Sequence, residues 1–249
     1  MGPTPMTSAA LEAALADIDT VFHGFASPDE VGCGRCHLPE ETAFLRTPDI
    51  RMPLDVLERF LYEASDHFDD HAAAMRRLLP QAARAMADGG LGGSSRGAHG
   101  LIWVNWRSWP ADQARAIDTF LQAWWQDVLS TPRPPHPVKN VFETCTTIAG
   151  TVTPFLAGWH RQPSAETHLV RCADDWIYDL ISDCSPFAWW GPDAEDEAVA
   201  ELKDWLSRHA ADRLRAQGEP DLALRAELLA LPYDERWAHP YWTNPSATS

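Results

Sequence analysis

Basic residues are scarce in this chain: Lys and Arg total 20 against 36 Asp and Glu, a formal net charge of −16. Such a charge repels phosphate backbones and anionic lipid, so nucleic acid and membrane fall away as default partners, while basic proteins and metal cations rise. Long apolar runs are missing too. Nowhere do about 18 apolar residues follow one another, so no bilayer-spanning helix is expected. No Lys or Arg precedes Arg35, and Glu12, Asp17 and Asp19 interrupt any early apolar stretch. That start lacks the positive and apolar regions of a secretory leader, and the expectation is a soluble, cytoplasmic protein. Cysteine is sparse at five residues. An odd count gives no simple disulfide framework, and in a reducing compartment all five stay thiols. Also absent are the phosphate-loop pattern, any His followed by Asp, and any Glu-x-x-His. Their absence argues against P-loop nucleotide binding, helical His-Asp phosphohydrolases and ferritin-like di-iron bundles.

Sustained period-two alternation is lacking as well; apolar residues recur instead at three- and four-residue intervals. Leu54, Leu57, Phe60, Leu61 and Ala64 make one stripe, and Met75, Leu78, Leu79, Ala82 and Met86 another. The second runs through Pro80, a predicted kink, to a capping Gly89. Ile117, Phe120, Leu121, Trp124 and Val128 follow Pro110 and Asp112, which suit a helix start. Leu169, Ala173, Trp176, Ile177, Leu180 and Ile181 form a fourth stripe, and Val199, Leu202, Trp205, Leu206 and His209 a fifth. The fold class expected is all-α, an irregular helical bundle or a short α-solenoid of HEAT/TPR type. "FLQAW" (120–124) echoed as "FLAGW" (155–159) suits a solenoid period, but two matches leave solenoid and bundle equally open. The best strand candidate is the β-branched "CTTIAGTVT" (145–153), weakened by Gly150 and Pro154.

Two breaks divide the chain. Residues 88–100 hold six of the fourteen glycines and read as a mobile loop. Residues 131–140 hold four prolines, a stiff connector between an N-terminal half (1–130) and an acidic, Trp-rich C-terminal half (141–249).

Chemistry concentrates at "VGCGRCH". Cys33-Gly34-Arg35-Cys36-His37 spells C-x-x-C-H, the haem-attachment pattern, and its C-x-x-C core is half of a zinc site. Gly32 and Gly34 let the turn bring both sulfurs to one point. His67 and His71 stand at i and i+4, on one face if a helix runs there, and would complete a Cys2His2 shell; His37 is the alternative ligand. Asp66, Asp69 and Asp70 are candidate acceptors for the imidazole N–H groups. Zinc is the metal this set suits. Haem is disfavoured by the compartment and by the lack of a marked distal ligand, and thioredoxin-like chemistry by the lack of a sheet. "GSSRG" (93–97) matches G-x-S-x-G without the strand a nucleophile elbow needs, and reads as linker.

Tryptophan is abundant, with twelve residues. Trp103, Trp106 and Trp109 are spaced for one helical face, beside Arg107, which can stack on an indole; Trp189 and Trp190 add to the set. They read mainly as core, and otherwise as an aromatic groove for a ligand or partner. From Asp174 to Asp204 there are ten acids and one base, Lys203. If Asp174, Asp175 and their neighbours share a face, they present a negative patch to a basic protein. The functional expectation is an acidic helical binding protein with a structural metal site; the alternative is a metal-dependent enzyme or small-ligand binder using a Trp-lined pocket.

The order of these features resembles an uncharacterised family of bacterial helical proteins. A helix ends in "FHGF", a Cys-x-x-Cys turn follows, then a Leu-Pro within a helix ("RRLLPQAARAMADG"). Next comes W-x-x-W-P (Trp106 to Pro110) leading to "FLQAWW". The resemblance covers residues 22–130 and implies an all-helical fold; it implies no activity and no catalytic residues.

Overall fold

The computed structural model describes residues 7–91, 99–187, 190 and 192–243, the side chains of 99, 192 and 193 excepted. The class is all-α: among the described residues there is no strand. The Gly-Ser-Ser-Arg-Gly motif and Trp189 lie outside them.

Contacts divide the chain into two compact units, residues 1–128 with 133–149, and residues 129–132 with 150–249. The first unit contains α1 (Ala9–Val21), α2 (Pro39–Arg46), α3 (Leu54–Tyr62), α4 (His71–Ala87), α5 (His99–Ile102), most of α6 (Ala111–Ser130) and α7 (Val138–Ala149). α4 is its hub, packed on α1, α2, α3 and α5, while α5 also meets α7. Ser8 caps α1 through the Leu11 N–H, and Asp70 caps α4 through that of Ala73. α4 runs through Pro80 and stops where expected. Gly89 takes φ +80°, and Gly90 N–H reaches Ala85 O at 2.8 Å, a Schellman closure.

The predicted stripes of α4 and α6 are buried throughout. That of α3 is narrower: Val56, Leu57, Phe60 and Leu61 are buried, but Leu54 is 41% exposed and Ala64 lies beyond the helix. The β-branched candidate 145–153 is not a strand. Residues 145–149 finish α7, where Thr144, Thr146 and Thr147 donate their hydroxyls to Asn140 and Glu143 carbonyls. Helical hydrogen bonding satisfies hydroxyls that a strand would have had to solvate.

The second unit contains α8 (Thr153–Ala157), α9 (Pro163–Leu180), α10 (Pro192–Trp205), α11 (Ala211–Ala216), α12 (Pro220–Leu228) and α13 (Tyr233–Ala238). α9 packs on α11 and α12, and its predicted stripe is buried in full. A π-helical turn, residues 206–210, joins α10 to α11. Five-residue hydrogen bonding inserts an extra residue and shifts the buried face. His209, expected inward, is therefore exposed, and Ala210 is buried. The "FLQAW" echo falls in unlike elements, mid-α6 in one case and α8 with its exit in the other. No helix among the described residues is long and apolar enough to cross a membrane.

Candidate metal centre

The loop between α1 and α2 is shaped before any thiol is considered. Gly32 has φ +66°, and a Cβ there would meet Thr42 Cγ2 at 2.8 Å, so only glycine fits. After it the chain turns tightly: Cys36 N–H donates to Cys33 O at 2.9 Å, and His37 N–H to the same carbonyl at 3.1 Å. Glu41 in α2 accepts from the Leu38 N–H at 3.0 Å and pairs with Arg59 of α3 at 2.7 Å, which fixes the loop's exit.

Its entry is fixed by Glu30, a fully buried carboxylate. One oxygen accepts from Gly32 N–H and Asp69 N–H, each at 3.0 Å; the other faces Ser27 Oγ at 3.3 Å and Asp70 N–H at 3.4 Å. In return Val31 N–H donates to the Asp69 carboxylate at 2.9 Å. These crossed bonds join the cysteine loop to the segment before α4. That segment carries His67.

The resulting geometry brings Cys33, Cys36 and His67 together, with one ligand atom from each within 4.8 Å of the others. The sulfurs stand 3.5 Å apart and are not bonded. Two thiolates at 2.3 Å from a tetrahedral ion would be about 3.8 Å apart, so the spacing fits one shared metal. Cys33 is half-buried and its thiol is shifted below the usual range, first by the Arg35 backbone N–H and then by the Cys36 thiol. Exposed Cys36 is shifted up, chiefly by its hydrogen bond to Cys33. The two shifts run in opposite directions, whereas a metal held by both sulfurs would need both thiols deprotonated.

His67 and His71 do not share a helical face. α3 stops at Tyr62, residues 65–67 form a single 3-10 turn, and α4 begins only at His71. The new helix starts where the Asp70 side chain caps it by accepting from the Ala73 N–H. His71 stacks on Phe68 at 5.3 Å and belongs to neither group of three candidate ligands found among the described residues. Asp69 and Asp70 are used on backbone N–H groups, not on imidazoles.

The residue facing the imidazoles is Glu63. One carboxylate oxygen lies 2.7 Å from His67 Nδ1, the other 3.5 Å from His37 Nε2. Neither contact has hydrogen-bond geometry, and both atoms on the histidine side are buried without a hydrogen bond. The His37 side chain is 1% exposed, packed against Phe60 at 4.8 Å and Phe68 at 6.1 Å between centroids. Burial pushes its imidazole below the ordinary range, against the pull of Glu63 and Glu41. A neutral imidazole keeps one N–H, and leaving it unmet in the interior costs about 1–3 kcal/mol. His37, Glu63 and His67 form the second group of three candidate ligands. So placed, His37 faces the core and not the outside of the turn, where a haem attached to the two cysteines would need it. Glu63 precedes His67 by four residues, a spacing that could have flagged it; nothing in the sequence marks Glu30.

The tryptophan set does not form one face. Trp103 follows α5 and is 60% exposed, Trp106 opens a separate 3-10 turn, and Trp109 follows that turn. Trp106 is buried, donates its indole N–H to Ile148 O at 2.8 Å and carries Arg107 over its ring at 4.3 Å. Trp109 is buried beneath Arg76 at 4.1 Å. In the second unit Asp174 is 69% exposed, 3.5 Å from Arg225, and Asp175 is exposed. Asp183 pairs with Lys203 and Arg236, and Asp204 with Arg208.

No protein-family model, curated protein or solved structure matches the chain. The functional reading rests on the site itself.

Proposed function

We propose that this chain is a zinc-holding helical binding protein, with Cys33, Cys36 and His67 as ligands in its N-terminal unit. The observation that carries the reading is the convergence of two unbonded thiols and an imidazole on a loop that Gly32 and Glu30 hold in shape. Two thiolates with an imidazole suit zinc over hard cations. The ion's task is structural: it ties the α1–α2 loop to the turn before α4. This reading needs reduced thiols and hence a cytoplasmic setting. Elemental analysis of protein purified without a metal-affinity tag should find one zinc per chain, held more weakly in C33S/C36S. Sub-stoichiometric metal, with no loss of stability on chelation, would reject it.

The partner side of the reading rests on the net charge of −16 and on Asp174 and Asp175, which are exposed in the C-terminal unit. A basic protein segment is the occupant we propose. Its binding should weaken steeply with salt through the association rate, because surface attraction is screened within about 8 Å at physiological ionic strength. Titration with a Lys-rich peptide at low and high salt, on the native chain and on D174N/D175N, tests this; salt-independent binding rejects it.

A further inference from the structure

Around His67 the candidate ligands are one too many for a single tetrahedral ion. Cys33, Cys36, His67, Glu63 and His37 make five, and they fall into two sets of three that share His67. The sets differ in depth and in chemistry. The thiolate set lies at the surface, with Cys36 exposed. The other lies inward: the His37 side chain is 1% exposed and neither of its ring nitrogens has a hydrogen bond. One carboxylate, that of Glu63, offers an oxygen to each imidazole, at 2.7 Å and 3.5 Å, without hydrogen-bond geometry at either. Hydrogen bonding does not account for that convergence, and ion pairing does so only with the imidazoles protonated. A cation shared by all three side chains does.

We propose that the centre has two metal positions with His67 in common: the surface thiolate position, and an interior one formed by His37, Glu63 and His67. Two imidazoles and a carboxylate suit a borderline divalent cation, zinc or ferrous iron, whereas two thiolates with an imidazole favour softer ions. His67 couples the positions. An ion at one takes the imidazole that the other requires, so the first ion binds with full affinity and a second only weakly. The sharing of His67 rests on the thiolate reading given above; the interior set stands on its own three residues.

Cobalt(II) titration followed by absorption separates the two, because only thiolate ligation gives an intense sulfur-to-metal charge-transfer band. The native chain should bind one equivalent with that band. C33S/C36S, near-isosteric changes in a surface turn, should still bind one equivalent with weak ligand-field bands alone. Adding H37Q and E63Q to that background should weaken the remaining binding at least tenfold with the far-ultraviolet circular dichroism unchanged. E63Q alone on that background serves the same purpose if H37Q disturbs the core. If C33S/C36S binds no cobalt while the native chain shows the thiolate band, the interior position is wrong and the zinc reading survives. Retained binding that ignores H37Q and E63Q also overturns it. A native chain that binds no cobalt overturns both.

Discussion

Two buried polar clusters, one in each unit, meet their surroundings in opposite ways. In the C-terminal unit Arg213 is buried and nearly saturated: its Nε reaches both Glu166 oxygens at 3.1 and 3.2 Å, and Nη1 reaches Trp159 O at 3.0 Å. Arg236, also buried, donates to the carbonyls of Leu180, Ile181 and Leu231 and to Asp183. In the N-terminal unit His37 is as deeply buried and has no hydrogen bond at either nitrogen. In both arginines most donors have acceptors, only Arg213 Nη2 and Arg236 Nε lacking a hydrogen bond, and such groups hold a fold together. An imidazole without a hydrogen bond beside a carboxylate and a second imidazole is what the proposed interior cation would satisfy.

The largest effect should come from the saturated side. R213A removes a buried guanidinium, leaves the partly buried Glu166 without its cation, and should cost about 3 kcal/mol in denaturant unfolding. A loss below 1 kcal/mol would erase the contrast. Chelation should act only through the N-terminal cluster. With free zinc at a hundredfold its dissociation constant, removal costs about 2.7 kcal/mol, seen as a lower melting temperature, an effect that C33S/C36S should reduce. G32A comes next: a Cβ at φ +66° against Thr42 should cost about 1–2 kcal/mol and weaken zinc binding with it.

The smallest effect sharpens the comparison most. H37F in metal-free protein should be neutral or stabilising, within about 1 kcal/mol, because it removes an unmet polar group among Phe60 and Phe68. The same change should abolish interior cobalt binding. Acid titration adds a gradual counterpart in both units. Burial lowers the imidazoles of His37, His136 and His168 below the reference 6.5. The unfolded chain then takes up protons before the folded one, so stability should decline as pH falls from about 6.5 through the folded values. A flat stability profile between pH 7 and 5 would contradict it.

Much of the fold was legible because burial drives helical periodicity directly: the stripes of α4, α6 and α9 are buried as spaced. Failures came where local hydrogen bonding overrode the pattern. The threonines of α7 satisfied their hydroxyls on helical carbonyls, and the π turn moved His209 outward. At the centre, Cys33, Cys36 and His67 were readable from spacing and residue type. His71 misled, because Asp70 starts a new helix there and breaks the i, i+4 relation. Glu30 depends on contacts with Asp69 and Asp70, some forty residues away, which no local pattern encodes, whereas Glu63 stands four residues before His67 and could have been flagged.

The crossed bonds between Glu30 and Asp69 bear on how the metal would be taken up. Many small zinc modules are unfolded without their ion, and binding must then supply the order of the whole loop. Here four protein groups already hold the carboxylate of Glu30, and Val31 is held in return. The ligand cage is thus preorganised, and little of the binding free energy goes into ordering the chain. Uptake should be a local event with small rearrangement, and affinity should be set by the ligands more than by the fold. Hydrogen exchange at the Gly32 and Asp69 amides would register this: both should stay protected in the metal-free protein, and both should lose protection in E30Q whether or not zinc is present.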